Sequence, residues 1–241
     1  MKKIGFTLAE TLVVLGVIGV VSLLTMPTFI VNQQKQIYAK TLQSAFVNFN
    51  TSMTNLISRE GVDGLLETTT WQKLTSLDTG SSETDIKFFV ANIGKVLSLL
   101  GYSTGLRSYK PLNDSAGAVN IGKPITLISK SGVEYKIQIE SSVSRDSRIE
   151  DEKILMANFT FTNRAATVYI DVNGKNTPNI LGRDLFRFDL ATNGMLYPYG
   201  GADYCNYHKT KMLDFREKCV IDKEGDYCAA YLMNNGYRMD Y

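Results

Sequence analysis

A chain of 241 residues is long enough for one sizeable domain or two small ones, with a core that needs neither metal nor disulfide staples. Its 26 lysines and arginines nearly balance 24 aspartates and glutamates, and no run of like charge forms a surface for nucleic acid or another polyanion. The mean hydropathy is that of a soluble protein, but it averages over one stretch, Thr11 to Val31, that holds no charged residue at all.

The chain begins Met1-Lys2-Lys3-Ile4-Gly5-Phe6-Thr7-Leu8-Ala9-Glu10 and passes at once into Leu12, Val13, Val14, Leu15, Val17 and Ile18, continuing apolar through Leu24. About 20 apolar residues rising 1.5 Å each cross the roughly 30 Å hydrocarbon layer of a bilayer. A secretory signal peptide would have a shorter apolar core ending in a small-x-small cleavage site. Here the run ends in Leu24-Thr25-Met26-Pro27. A plain membrane anchor accounts for the run but not for Glu10, because a carboxylate at the edge of a membrane helix costs about 2 to 3 kcal/mol unless it has a partner.

Gly5-Phe6-Thr7-Leu8-Ala9-Glu10, preceded by Lys2-Lys3 and followed by the apolar helix, resembles the cleavage and methylation motif of type IV prepilins and of the pseudopilins of type II secretion. The resemblance implies that residues 1–5 are a leader, that a prepilin peptidase cuts between Gly5 and Phe6 on the cytoplasmic side, and that Phe6 is N-methylated. Its further implied partners are like or related pilin subunits in a filament and an inner-membrane assembly platform. Electrostatics agrees with that assignment. The amine freed at Phe6 and the Glu10 carboxylate of a neighbouring copy would each be costly alone in an apolar bundle, whereas paired they fix the axial register of adjacent helices. Glu10 is therefore the expected assembly residue, set against a bland reading as a carboxylate in the headgroup layer.

Lys2 and Lys3 on one side of the span face Lys35 and Lys40 on the other, so the positive-inside count is nearly tied. The long C-terminal body and its cysteines put the N-terminus in the cytoplasm and the head outside. Gly16, Gly19 and Pro27 interrupt the helix pattern. They serve either as close-packing positions or, as the resemblance implies, as limits of a segment from Gly19 to Pro27 that loses helical structure on assembly.

Past Pro27 the pattern becomes amphipathic. Ile37, Tyr38, Leu42, Ala45, Phe46, Phe49, Met53, Leu56 and Ile57 recur at intervals of three and four, with Lys35, Lys40, Asn48 and Asn50 on the other face. One helix is expected from near Phe6 to about Ser58, closed by Gly61 and Gly64, with 6–31 in lipid and 32–60 as its amphipathic continuation. The remainder, 61–241, is expected to be a globular head. Thr68 to Trp71 and Thr79 to Ser82 read as turns or loops, and Glu83 to Leu100 reads as a second helix stopped by Gly101. Gly105 to Lys123 reads as a loop. Strands are expected at Ile125 to Ile128 and Val133 to Ile139 around a Ser129-Lys130-Ser131-Gly132 turn, then at Ile154 to Phe161, Ala166 to Val172 and Phe186 to Leu190. The order gives an α+β class with an antiparallel sheet laid on the helix stripe, and the resemblance implies a pilin-like form of it.

Asp171, Asn173, Asn176 and Asp184 are the densest set of oxygen ligands in the chain and form a candidate calcium site, although the spacing is not that of an EF-hand and the same residues make ordinary turns. The single histidine, His208, near Cys205 and Cys219, matches no structural zinc spacing. Of the three cysteines, Cys228 is the expected disulfide member, with Cys219 or Cys205 as partner. No arrangement of nucleophile, base and orienting group supports an enzyme. The expectation is a structural subunit, minor or specialised, of a type IV pilus or type II secretion-like filament. The alternatives are a calcium-dependent adhesion head on the same anchor and a membrane-tethered enzyme.

Overall fold

Helix α1 spans Leu8–Glu60 without a break in a computed structural model that describes residues 7–75, 83–113, 118–144, 164–200, 214–223 and 225–241. The chain divides into two compact units, Met1–Ile37 and Tyr38–Tyr241, and α1 contributes to both. In the first unit every leucine, valine, isoleucine, methionine and phenylalanine from Leu8 to Val31 is exposed.

In the second unit the helix buries Ala39, Leu42, Ala45, Phe49, Met53 and Leu56, the stripe that three- and four-residue spacing places on one face. Tyr38, Phe46 and Ile57 flank it, half-buried. Ile37 is exposed, contrary to its place in the expected stripe. It stands five positions before Leu42, about 140° round a helix of 3.6 residues per turn. Asn50, expected on the polar face, instead accepts a hydrogen bond from Leu196 N at 2.8 Å. The helix ends in a left-handed glycine: Gly61 has φ +67°, and Val62 N and Gly61 N donate to the carbonyls of Ile57 and Ser58.

Glu60, the last helical residue, closes the next helix. After a 3-10 turn at Leu65–Glu67, α2 runs Thr69–Thr75, and its first turn donates to the Glu60 carboxylate from Thr69 N, Thr70 N (3.3 Å), Thr69 Oγ1 (2.8 Å) and Thr70 Oγ1. Thr68 Oγ1 accepts from Trp71 N at 3.1 Å. The threonine run expected as a turn or loop is thus a capped helix, and the capping acid comes from nine positions upstream of Thr69. Helix α3, Glu83–Leu97, buries Ile86, Phe89, Ile93 and Leu97. It stops three residues short of the expected Leu100, because Ser98 turns left-handed (φ +50°) and the chain enters β1, Leu99–Thr104.

Strand β2 (Arg107–Tyr109) pairs with β3 (Val119–Gly122) inside the stretch expected as a loop. Strands β4 (Ile125–Ser129) and β5 (Glu134–Ser144) form the expected hairpin, with Gly132 at φ +86°. Strands β6 (Arg164–Asp171), β7 (Leu185–Ala191) and β8 (Leu196–Pro198) complete an antiparallel sheet in the order β1-β4-β5-β6-β7-β8. Among the described residues its edges are β1, irregular between Leu99 and Gly101, and the three-residue β8 ending in Pro198. The expected elements at 79–82 and 154–161 lie outside the described residues. Helix α4, Cys228–Asn234, follows a π-turn at Glu217–Ile221 and a 3-10 turn at Gly225–Tyr227.

Register sorts the sheet residues into two faces. Leu127, Tyr135, Ile170 and Phe186 align across four strands, as do Ile125, Ile137, Val168 and Phe188. This face meets α1: Phe49 lies 5.4 Å from Tyr135, Phe46 lies 5.6 Å from Phe188, and Tyr135 Oη donates to Ala45 O. Each fully buried side chain of this size contributes roughly 1.5–3 kcal/mol. The other face carries Glu134, Lys136, Tyr169, Asp171 and Arg187, partly covered by a smaller apolar cluster of Tyr109, Ile121, Leu181 and Leu185.

Candidate functional site

Three places carry the residues singled out by the sequence. The first is the N-terminal turn of α1, which is long and apolar enough to cross a membrane. Thr7 N and Thr7 Oγ1 donate to Glu10 Oε2 at 3.0 and 2.9 Å, and Glu10 N donates to Thr7 Oγ1 at 3.3 Å. This reciprocal pairing is a capping box, in which the acid at the third helical position satisfies the backbone donor of the cap residue. Glu10 thus has an intrachain partner that the sequence reading missed, although Thr-x-x-Glu before an apolar run is its signature. Gly5 and Phe6 lie outside the described residues.

Gly16 and Gly19 face open space, since an added Cβ at either would meet nothing within 4 Å. Pro27 sits inside the helix and has no N–H to give the preceding turn. Around it, Thr25 Oγ1 donates to Val21 O at 3.0 Å and Thr28 Oγ1 to Thr25 O at 2.8 Å.

The second place is the loop after β6. Asp171 is fully buried; its Oδ1 accepts from Gly174 N at 2.9 Å and its Oδ2 pairs with Lys136 Nζ, which also lies 3.4 Å from Glu134 Oε2. Burial pushes the Asp171 carboxyl up to about 6; Lys136 opposes the rise, and Asp184 and Glu134 add to it. Asp184 accepts from Asn179 N at 2.8 Å and Ile180 N at 2.6 Å. Asn176 Nδ2 donates to Asn173 O at 3.0 Å. The loop is therefore folded on its own side chains, with a cis bond at Thr177-Pro178 and Gly174 at φ +60°, where a Cβ would collide with the Gly132 carbonyl. Asn173 Oδ1 is buried with no hydrogen-bond partner. Among the described residues no group of three His, Cys, Asp or Glu is gathered as a metal site.

The third place is the C-terminal staple. Cys219 and Cys228, both buried, form a disulfide with Cα atoms 4.8 Å apart, while Cys205 and His208 lie outside the described residues. The staple packs on the turn before β7: a Cβ at Gly182 would come within 2.8 Å of Cys228 Sγ, and Tyr241 Oη donates to Gly182 O at 2.6 Å. Arg187 Nη1 meets Asp226 at 3.1 Å between the bonded cysteines' positions in the chain. Spacing alone could not choose Cys219 over Cys205; the fold chooses by bringing the π-turn beside the start of α4. No known family model, curated protein or solved structure matches the chain.

Proposed function

We propose that the chain is a structural subunit, minor or specialised, of a type IV pilus or type II secretion-like filament with a pilin-like fold. A prepilin peptidase cuts it after Gly5, Phe6 is N-methylated, and the subunit waits in the inner membrane with its N-terminus cytoplasmic and its head outside. The observation that carries this reading is a helix whose apolar side chains from Leu8 to Val31 are all exposed and whose first turn holds a carboxylate, Glu10. Such a surface requires lipid or the same surface on neighbouring helices. In the lone chain Thr7 satisfies Glu10; in the filament the Phe6 amine of an adjacent copy takes its place.

Mass spectrometry of the mature N-terminus and filament yield of a Glu10→Gln variant test the reading together. Methyl-Phe6 as the first residue, with filaments lost or reduced about tenfold in E10Q, is the expected result. Retention of Met1, or normal filaments from E10Q, overturns it. A second reading, a calcium-dependent adhesion head on the same anchor, is supported by the unpartnered Asn173 Oδ1. Calcium takes six to eight oxygens, so binding at Asp171, Asn173, Asn176 and Asp184 must displace the hydrogen bonds described above. Calorimetric titration of the chain with calcium decides, and an absence of heat removes the second reading.

A further inference from the structure

On the polar face of the sheet, a cleft of about 410 Å³ opens where β1, β2, β4, β5 and the loop after β6 converge. The volume lies in the range of small-molecule sites. Its walls bring together three cations, Arg107, Lys136 and Lys175, and one carboxylate, Glu134.

The hydrogen-bonding capacity of these groups is unevenly spent. Arg107 Nη2 donates to Ser103 Oγ at 2.7 Å, yet its Nε is buried with no partner. A guanidinium N–H shut away from water and left unmade is costly, and guanidinium forks match carboxylates in geometry. Lys136 has three N–H donors, of which Asp171 accepts one, while Glu134 faces it as an ion pair at 3.4 Å. Lys175 is exposed at the cleft and adds an unburied cation. Glu134 can still accept a hydrogen bond from a hydroxyl or ammonium group. Leu106 and Ile128 supply aliphatic wall, which an inorganic anion would leave uncovered.

We propose that this cleft binds a small hydroxylated carboxylic acid, of the size of a hexuronic acid. Its carboxylate takes the Arg107 guanidinium and the Lys175 ammonium, a hydroxyl donates to Glu134, and its carbon skeleton lies against Leu106 and Ile128. Lys136 is a positioning residue, holding Glu134 and Asp171 in place. The assignment does not depend on whether the chain forms filaments.

Saturation-transfer NMR on the full chain in detergent micelles, with glucuronate and glucose as probes and inorganic phosphate as a competitor, tests it. Transfer to glucuronate and none to glucose is expected. Arg107→Gln should weaken glucuronate binding about tenfold or more, and Lys175→Ala by a few fold. Circular dichroism checks each variant's fold; should R107Q lose its native spectrum, the exposed K175A decides. The proposal is overturned by no transfer to glucuronate, by equal transfer to glucose, or by displacement with phosphate at equal concentration. Native-like affinity in a folded R107Q, or in K175A when it decides, overturns it as well.

Discussion

Replacing Glu60 with alanine removes the cap of α2 without touching the hydrophobic core. Two backbone N–H groups of a helix first turn lose a charged acceptor, a loss of roughly 1–2 kcal/mol in other helices. The Thr69 hydroxyl can turn to water, but Thr70 is fully buried and its hydroxyl is left with Asn92 Nδ2 as a donor to it at 3.2 Å and no acceptor, adding about 1 kcal/mol. The expected cost is about 2–3 kcal/mol, or a fall in Tm of about 5–10 °C for a unit of this size. Glu60→Gln, which keeps one oxygen, should cost about half as much. The pH dependence has a definite sign. Burial raises the Glu60 carboxyl, but the hydrogen bonds from Thr70 and Thr69 outweigh it and hold the group below its ordinary 4.5. Its contribution is therefore complete above 4.5 and lost as pH falls through the depressed folded value. Urea unfolding of the full chain in micelles, read by the single tryptophan, is the assay. Trp71 is fully buried within α2 and meets Phe89 edge-on at 6.0 Å, so it reports on the element the cap begins. A midpoint for E60A equal to that of the native chain refutes the reasoning, as does a difference that does not shrink in acid below the depressed value, where the protonated carboxyl keeps only its carbonyl oxygen as an acceptor.

Changing both Cys219 and Cys228 to serine opens a loop with a sequence separation of nine and should cost about 2.5–3 kcal/mol by loop-closure entropy; identical thermal midpoints with and without reductant would count against the staple. Asp171, raised by burial from 3.8 to about 6, binds its proton more tightly folded than unfolded. Its contribution is fullest below 3.8 and declines by up to about 3 kcal/mol as pH rises through 6. Across that interval the unfolding midpoint of the native chain should fall relative to that of Asp171→Asn, which cancels the contributions of the other carboxylates, and parallel slopes would refute this.

Long, strongly periodic elements were legible in the sequence. The α1 stripe from Leu42 to Leu56 read correctly because helical spacing and burial on one face are the same statement, and the β4–β5 hairpin read correctly because Ser129-Lys130-Ser131-Gly132 supplies a left-handed glycine between two apolar runs. What failed depended on partners distant in the chain. Thr68 to Trp71 has poor helix formers and becomes a helix through Glu60. Leu99 and Leu100 continue the apolar pattern of α3, yet β4 draws them into an edge strand. At the candidate sites, Glu10 was recognised as a group needing a partner, but Thr7 three positions before it was read only as part of a cleavage motif. The cleft was not legible at all, since Arg107, Glu134 and Lys175 meet only after β2, β5 and the loop after β6 are brought side by side.

The margins of the sheet bear on how these molecules behave when crowded. Among the described residues, strand β8 is three residues long and ends in a proline, which offers no amide to a newcomer, and β1 breaks step between Leu99 and Gly101, so neither of these margins offers a long, straight template. Neither of these two edges therefore favours addition of a strand from another copy.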